Sequence, residues 1–274
     1  MVTSRRGAIR CVQAAVTITA LLAADCMSAM SAPGAGSVPV PPKRPAEVQK
    51  AAPRPASFEV WKRGFRRQAL GADIDPATFG AAFAMVWMNQ RALELDAYQL
   101  EFVRPIWEYL GRAVSETRIV NGRQNAAEWD GTLRRIEERY GVDIGIVAAI
   151  WGIESAYDQD YGSVSVIEGL ATLAYDGRRR VFAEEQLVAA LRIIQSGDAA
   201  LGRMVGSWAG AMGHTQFIQT SFEAHAVDFA GDGRRDVWAE DPSDALALGR
   251  ELLGPAWLAA GRVFGDRGHA AGRV

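Results

Sequence analysis

Cysteine is almost absent from the 274-residue chain: only Cys11 and Cys26 occur, both within the first thirty residues. A disulfide scaffold is therefore excluded, and a chain of this length can build a core without such staples. Histidine is nearly as scarce, and His214, His225 and His269 are spaced too widely to suggest a zinc site. There is no excess of one charge, since 30 Lys and Arg face 32 Asp and Glu for a net charge of −2. That balance excludes a partner bound by phosphate neutralisation, so no nucleic acid is expected. Strand-like alternation is scarce, with residues 162–166 as the one short candidate, and no internal repeat is visible. With 49% hydrophobic and 23% charged residues, the chain is too apolar for wholesale disorder.

The first residues read as an export signal over residues 1–31. Arg5, Arg6 and Arg10 precede a mostly apolar stretch over 11–24, and Ala29-Met30-Ser31 offers a cleavage site. The apolar run is short for a membrane span of about 20 residues. Lipidation at Cys26, and with it an outer-membrane anchor, is disfavoured because Asp25 stands where a small uncharged residue is wanted. Residues 32–56 form a Pro/Ala-rich linker; seven of the eleven prolines fall between Pro33 and Pro55.

From Phe58 onward helical periodicity dominates, and the class is mainly α with a small β element. Ser57 is placed to cap a helix carrying Phe58, Trp61, Phe65 and Leu70. Asp75-Pro76 opens the next, with Phe79, Phe83, Val86 and Trp87 on one face. Asn121-Gly122 reads as a break before a helix through Trp129, Leu133, Ile136 and Tyr140, with Gly141 at its end. Residues 184–196 and 241–253 are also helix-like. Trp61, Trp87, Trp107 and Trp129 are expected in the core.

The segment around Glu154 is the most informative. Val147, Ile150, Trp151 and Glu154 fall at i, i+3, i+4 and i+7, so Glu154 is a carboxyl carried on an otherwise apolar helical stripe. Burial and a helix C-terminus both disfavour the charged form and raise its pKa. Such an acid suits protonation of a glycosidic oxygen; a glutamate ion-paired with an arginine is the competing reading. The stretch 206–218 is rich in small residues, with one hydroxyl and one amide among aromatics. That composition suits a sugar groove or, equally, a tight packing loop. His214 within it reads as a wall or packing residue rather than a catalyst.

Together, Trp151-Gly152-Ile153-Glu154-Ser155 and residues 206–217 resemble the lytic murein transglycosylase B family, lysozyme-like enzymes that cleave peptidoglycan. Leu170-Ala171-Thr172-Leu173-Ala174-Tyr175-Asp176-Gly177-Arg178-Arg179, Val227-Asp228-Phe229 and Gly231-Asp232-Gly233 follow in the family's order. The resemblance implies a lysozyme-like catalytic domain over residues 57–247. Glu154 would be the sole catalytic acid and base, cleaving the MurNAc–GlcNAc β-1,4 bond with formation of 1,6-anhydro-MurNAc ends. It further implies substrate-binding roles for Ser207, Gln216 and Phe217, for Arg178 and Arg179 on a basic side, and for Tyr157. No cofactor is required. One EF-hand-like loop, with Asp228, Asp232, Asp236 and Asp244 as candidate ligands, is a potential site for a single Ca2+. Ala230 and Ala239 stand at the third and twelfth loop positions, where side-chain oxygens are wanted. The implied partners are peptidoglycan glycan strands and, further afield, cell-wall synthesis proteins, in the periplasm.

The sequence also departs from the family. Asp158 replaces a usual glycine, Gln219 a proline and Phe222 a tyrosine, and residues 248–274 form a divergent Gly-, Ala- and Arg-rich tail. A shifted reading frame after residue 247, leaving the domain incomplete at that end, is the expectation the tail raises. The alternative function is a catalytically impaired relative that binds glycan or scaffolds partners.

Overall fold

The computed structural model describes residues 53–97 and 106–249. The expected export signal, most of the expected linker and the tail beyond residue 249 lie outside the described residues. Eleven α-helices and one two-stranded sheet are described. Three helices lead: α1 (Phe58–Gly71), α2 (Pro76–Phe83) and α3 (Gln90–Ala97). The next four are α4 (Ile106–Ala113), α5 (Glu116–Glu128), α6 (Asp130–Tyr140) and α7 (Ile144–Ser155). Strand β1 (Val164–Ser165) then precedes α8 (Val166–Asp176) and α9 (Arg180–Ser196). Strand β2 (Val205–Gly206), α10 (Gln219–His225) and α11 (Ser243–Leu248) complete the order. β1 and β2 pair antiparallel, with Val164 opposite Gly206 and Ser165 opposite Val205.

Local signals explain most helix ends. Ser57 Oγ accepts from Val60 N at 3.2 Å and caps α1, and Pro76 occupies the first turn of α2. Asp143 Oδ1 accepts from Gly145 N and Ile146 N at 2.7 and 3.2 Å, which fixes the start of α7. Gly141 ends α6 in the left-handed conformation, as its position suggested.

Two apolar clusters build the interior. The larger joins α1, α2, α8 and α9, around Phe65, Phe79, Leu170 and Leu187. The smaller joins α6 and α7 through Leu133, Ile136, Val147 and Trp151. Helix α11 is buried along its whole length and serves both, giving Ala245 and Leu248 to the first and Leu246 and Ala247 to the second. Its burial explains why so short a helix holds: packing rather than propensity stabilises it.

Three sequence expectations are corrected here. Asn121 and Gly122 do not break the chain but sit inside α5, where Asn125 Nδ2 donates to Asn121 O at 2.9 Å. Trp87 is 68% exposed because α2 stops at Phe83, and Val86 takes the buried position instead. Trp107 is 77% exposed, on the same outward face of α4 as Leu110. Of the expected tryptophan core, Trp61 is buried and stacks on Phe65, and Trp129 is half-buried against the smaller cluster.

Candidate active site

The site forms at the seam between the two clusters, where the end of α7 meets the loop that follows β2. Helix α7 is apolar nearly throughout, and Glu154 sits on it one residue from the end. Its side chain is buried, the residue being 7% exposed, and Oε2 has no hydrogen-bond partner. Burial pushes the carboxyl up from its ordinary 4.5 to about 8. The neutral acid is therefore the resting form through neutral pH. The ion pair with an arginine that competed as a reading of Glu154 is not formed in the described residues.

The chain leaves α7 through three consecutive residues with positive φ, Ala156, Tyr157 and Asp158 at 53°, 60° and 69°. None is glycine, so each carries the left-handed penalty. Ser155 holds the turn: its Oγ donates to Trp151 O at 3.3 Å and accepts from Asp158 N at 3.2 Å. The Tyr157 ring packs edge-on against Trp151 with centroids 5.4 Å apart, and burial raises the pKa of its hydroxyl.

The facing loop is tied together mainly by its own backbone. Ser207 N donates to Ala211 O at 2.8 Å, while Ser207 Oγ accepts from Ala211 N at 3.0 Å. Met212 and Phe217 exchange backbone hydrogen bonds at 3.0 and 3.1 Å. Gly206 is required because a Cβ there would run into the Ala211 carbonyl. Gln216 has φ 51°, and its Nε2 donates to Tyr161 O and Gly213 O, both at 3.0 Å. Those two carbonyls fix the amide orientation, and the buried Oε1 is left without a partner. Ser207 and Phe217 are buried in the loop as well.

Two departures from the family pattern are accommodated here. Gln219 opens α10, where a proline would suit the first turn; its Nε2 instead donates to Gly210 O at 2.5 Å. Phe222 is fully buried, with the Arg235 guanidinium 5.1 Å from its ring centre.

Arg178 and Arg179 lie elsewhere. They follow the C-terminal end of α8, about 15 Å along the helix from the strands at its start. Arg178 pairs with Asp96 at 3.0 Å and Asp176 at 2.7 Å, and Arg179 with Asp96 at 3.3 Å. Both guanidinium groups are thus engaged in joining α3 to the α8–α9 junction. Tyr157 lies in the turn after Glu154, and Ser207, Gln216 and Phe217 lie in the loop whose His214 meets Trp151 of the same helix; the two arginines lie at the other end of α8.

The carboxylates of the acidic loop are turned onto its own backbone amides. Asp228 Oδ1 accepts from Gly231 N and Asp232 N, and its Oδ2 from Gly233 N, at 2.6, 3.0 and 2.8 Å. Asp244 Oδ1 accepts from Phe229 N and Ala230 N at 2.7 and 2.9 Å, and its Oδ2 from Asp236 N at 2.9 Å. Asp232 accepts from Arg234 N and Asp236 from Trp238 N, each at 2.9 Å. Backbone amides hold these oxygens, and no three acidic, histidine or cysteine side chains converge among the described residues. In this structure Asp228, Asp232, Asp236 and Asp244 serve the backbone amides of their own loop.

Known proteins match this chain over the same region. The transglycosylase SLT domain profile covers residues 57–251. Membrane-bound lytic murein transglycosylase B of Escherichia coli (strain K12) is 33% identical over 140 residues, 50% of this chain and 38% of that protein. SltB3 of Pseudomonas aeruginosa, solved in complex with NAG-NAM-pentapeptide, is 49% identical with a TM-score of 0.69, over 71% of this chain and 52% of that one. The Escherichia coli lytic transglycosylase Slt35, solved in complex with calcium, is 26% identical with a TM-score of 0.63, over 69% and 60%. The chain thus spans under four tenths of the first relative and about half of the second.

Proposed function

This chain belongs to the transglycosylase SLT domain family, with the mainly helical, lysozyme-like fold of its relatives, and on that premise we propose that it is a peptidoglycan lytic transglycosylase. The observation that carries the reading is Glu154, a buried, unpaired carboxyl held neutral at the seam of two packed units. In the proposed reaction Glu154 donates its proton to the oxygen joining MurNAc to GlcNAc as the bond from that oxygen to C1 breaks. The resulting carboxylate then takes the proton of the muramic 6-hydroxyl as that oxygen closes on C1. The acid is regenerated, no water is consumed, and a 1,6-anhydro end is left. A buried acid near 8 suits both steps, because it both gives up and regains its proton near neutral pH.

A two-carboxylate hydrolase would place a second carboxylate across the bond. Burial is the cause of the Glu154 shift, and no neighbouring carboxylate contributes to it. Gln216 Oε1, buried and without a partner, accepts from a hydroxyl or amide N–H of the glycan in this reading only where the loop opens to expose it. Binding by Ser207, Phe217 and Tyr157 around it belongs to the same reading. Any contribution from Arg178 or Arg179 requires a strand or stem peptide reaching the far end of α8. On the same reading residues 1–31 serve as an export signal and the activity lies outside the cytoplasmic membrane, where peptidoglycan lies. Fragments released from sacculi test the reading through the chemical form of their ends.

A further inference from the structure

Glu154 is flanked in sequence by Trp151 and Asp158, and both flanks meet one imidazole. Trp151 Nε1 donates to His214 Nδ1 at 3.2 Å. Asp158 Oδ1 lies 3.6 Å from the same Nδ1. On the other side of the ring, His214 Nε2 is 2.7 Å from Ala239 O. The residue is 1% exposed, and its ring also packs against Trp151 and Tyr161, with centroids 5.9 and 6.3 Å apart.

The tautomer follows from the partners. An indole N–H only donates and a carbonyl oxygen only accepts. His214 Nδ1 must therefore carry the lone pair, and Nε2 the proton. The ring spans the seam, joining α7 to the segment at Ala239 and to its own loop. Ser155 completes the link inside the turn, since its Oγ bonds both Trp151 O and Asp158 N.

We infer that His214 is a positioning residue: its neutral imidazole holds Trp151, three residues before Glu154, to the Ala239 carbonyl, Ser155 carries that restraint on to Asp158, and together they fix the depth and aim of the Glu154 carboxyl. The inference rests on the proposed acid–base role of Glu154 but is tested independently of it. Without the clamp, the three left-handed residues that follow α7 lose a restraint that holds them in a strained conformation. The end of α7 then loosens, and water reaches the acid. The other titratable or charged groups around the turn are Tyr157, Asp158 and Asp160, with Arg118 and Glu240 acting on them from α5 and from the segment after Ala239.

The test follows the Glu154 carboxyl by 13C NMR titration, and cleavage of sacculi, in full-length wild type, His214→Phe, His214→Gln and Trp151→Phe. 15N spectra of wild type report the tautomer. Glutamine keeps one donor and one acceptor at a spacing close to that of the ring nitrogens; phenylalanine keeps neither. The expected result is an Nε2–H tautomer, and in His214→Phe a Glu154 midpoint lowered by about one pH unit or more. The kcat of His214→Phe falls about tenfold or more with KM little changed, and His214→Gln stays near wild type in both readouts. Trp151→Phe moves the midpoint in the same direction and replaces His214→Phe if that variant does not fold. A proton on Nδ1, or an unmoved midpoint in both His214→Phe and Trp151→Phe, overturns the inference. So does a His214→Gln as inactive as His214→Phe with its Glu154 midpoint intact, since the ring would then act chemically. Failure of wild type to cleave glycan contradicts the proposed function alone; the clamp is still decided by the Glu154 titration.

Discussion

The hydroxyl end of Tyr157 fills the space in which a side chain on Gly152 would begin, and it does the same to Gly122 on the neighbouring helix. One tyrosine thus sets the close approach of α5 and α7, and the glycines are needed for the room they leave. Gly122→Ala and Gly152→Ala should each destabilise the fold by about 1–3 kcal/mol through overpacking. Tyr157→Phe should relieve the first and not the second. At Gly122 the hydroxyl is the obstacle and the ring carbon behind it stands 3.0 Å away, whereas at Gly152 the ring carbon itself overlaps the new methyl. Urea unfolding of the three single and two double variants, in two double-mutant cycles with wild type, checks this; equal rescue at both positions would contradict it.

Glu154 should cost the protein stability as pH rises. Below the ordinary carboxylate value both folded and unfolded states hold the proton. Between 4.5 and about 8 only the folded state does, so each rise in pH through that window removes stability. The loss amounts to about 3 kcal/mol by pH 7, at about 1.4 kcal/mol per unit. Glu154→Gln lacks this loss. Its Tm advantage over wild type should be smallest near pH 4.5, grow to about pH 8 and then level off. A constant difference across that range would show that the carboxyl is not buried in the folded state.

Ala156 is the residue at which α7 ends, in a left-handed conformation with φ 53°. Ala156→Gly should therefore raise stability by about 1 kcal/mol, the relieved penalty exceeding the extra entropy glycine brings to the unfolded chain. Differential scanning calorimetry reads the effect; a lower Tm would mean that the Ala156 methyl packs to more advantage than its backbone costs.

Much of this site was legible in the sequence, for a physical reason. Helical spacing placed Glu154 on an apolar stripe, and burial follows from that pattern. Asp158 was visible only as a departure from a usual glycine. Its φ of 69° explains the usual glycine, because that backbone position is left-handed. The His214 clamp was not legible, since Trp151, Asp158 and Ala239 meet the ring only through folding. Nor was the exposure of Trp87, because the sequence extended the periodicity of α2 past its end at Phe83. The amide contacts of the acidic loop were not legible for a related reason: carboxylates that gather backbone amides occur in the same Asp- and Gly-rich pattern as carboxylates that gather a cation.

That loop gives the next expectation. Asp244 accepts from three backbone amides, so Asp244→Ala should cost about 2–4 kcal/mol by leaving them unpaired. Millimolar calcium should leave the Tm of the wild type unchanged. A calcium-dependent rise that Asp244→Ala abolishes would show instead that the loop rearranges to bind the ion.

Mass spectrometry of fragments released from peptidoglycan sacculi, with Glu154→Gln alongside, reads the chemistry of Glu154 from the ends it leaves. Wild type should release muropeptides ending in 1,6-anhydro-MurNAc, and Glu154→Gln none. Reducing ends from wild type, or anhydro ends from Glu154→Gln, would contradict the proposed function.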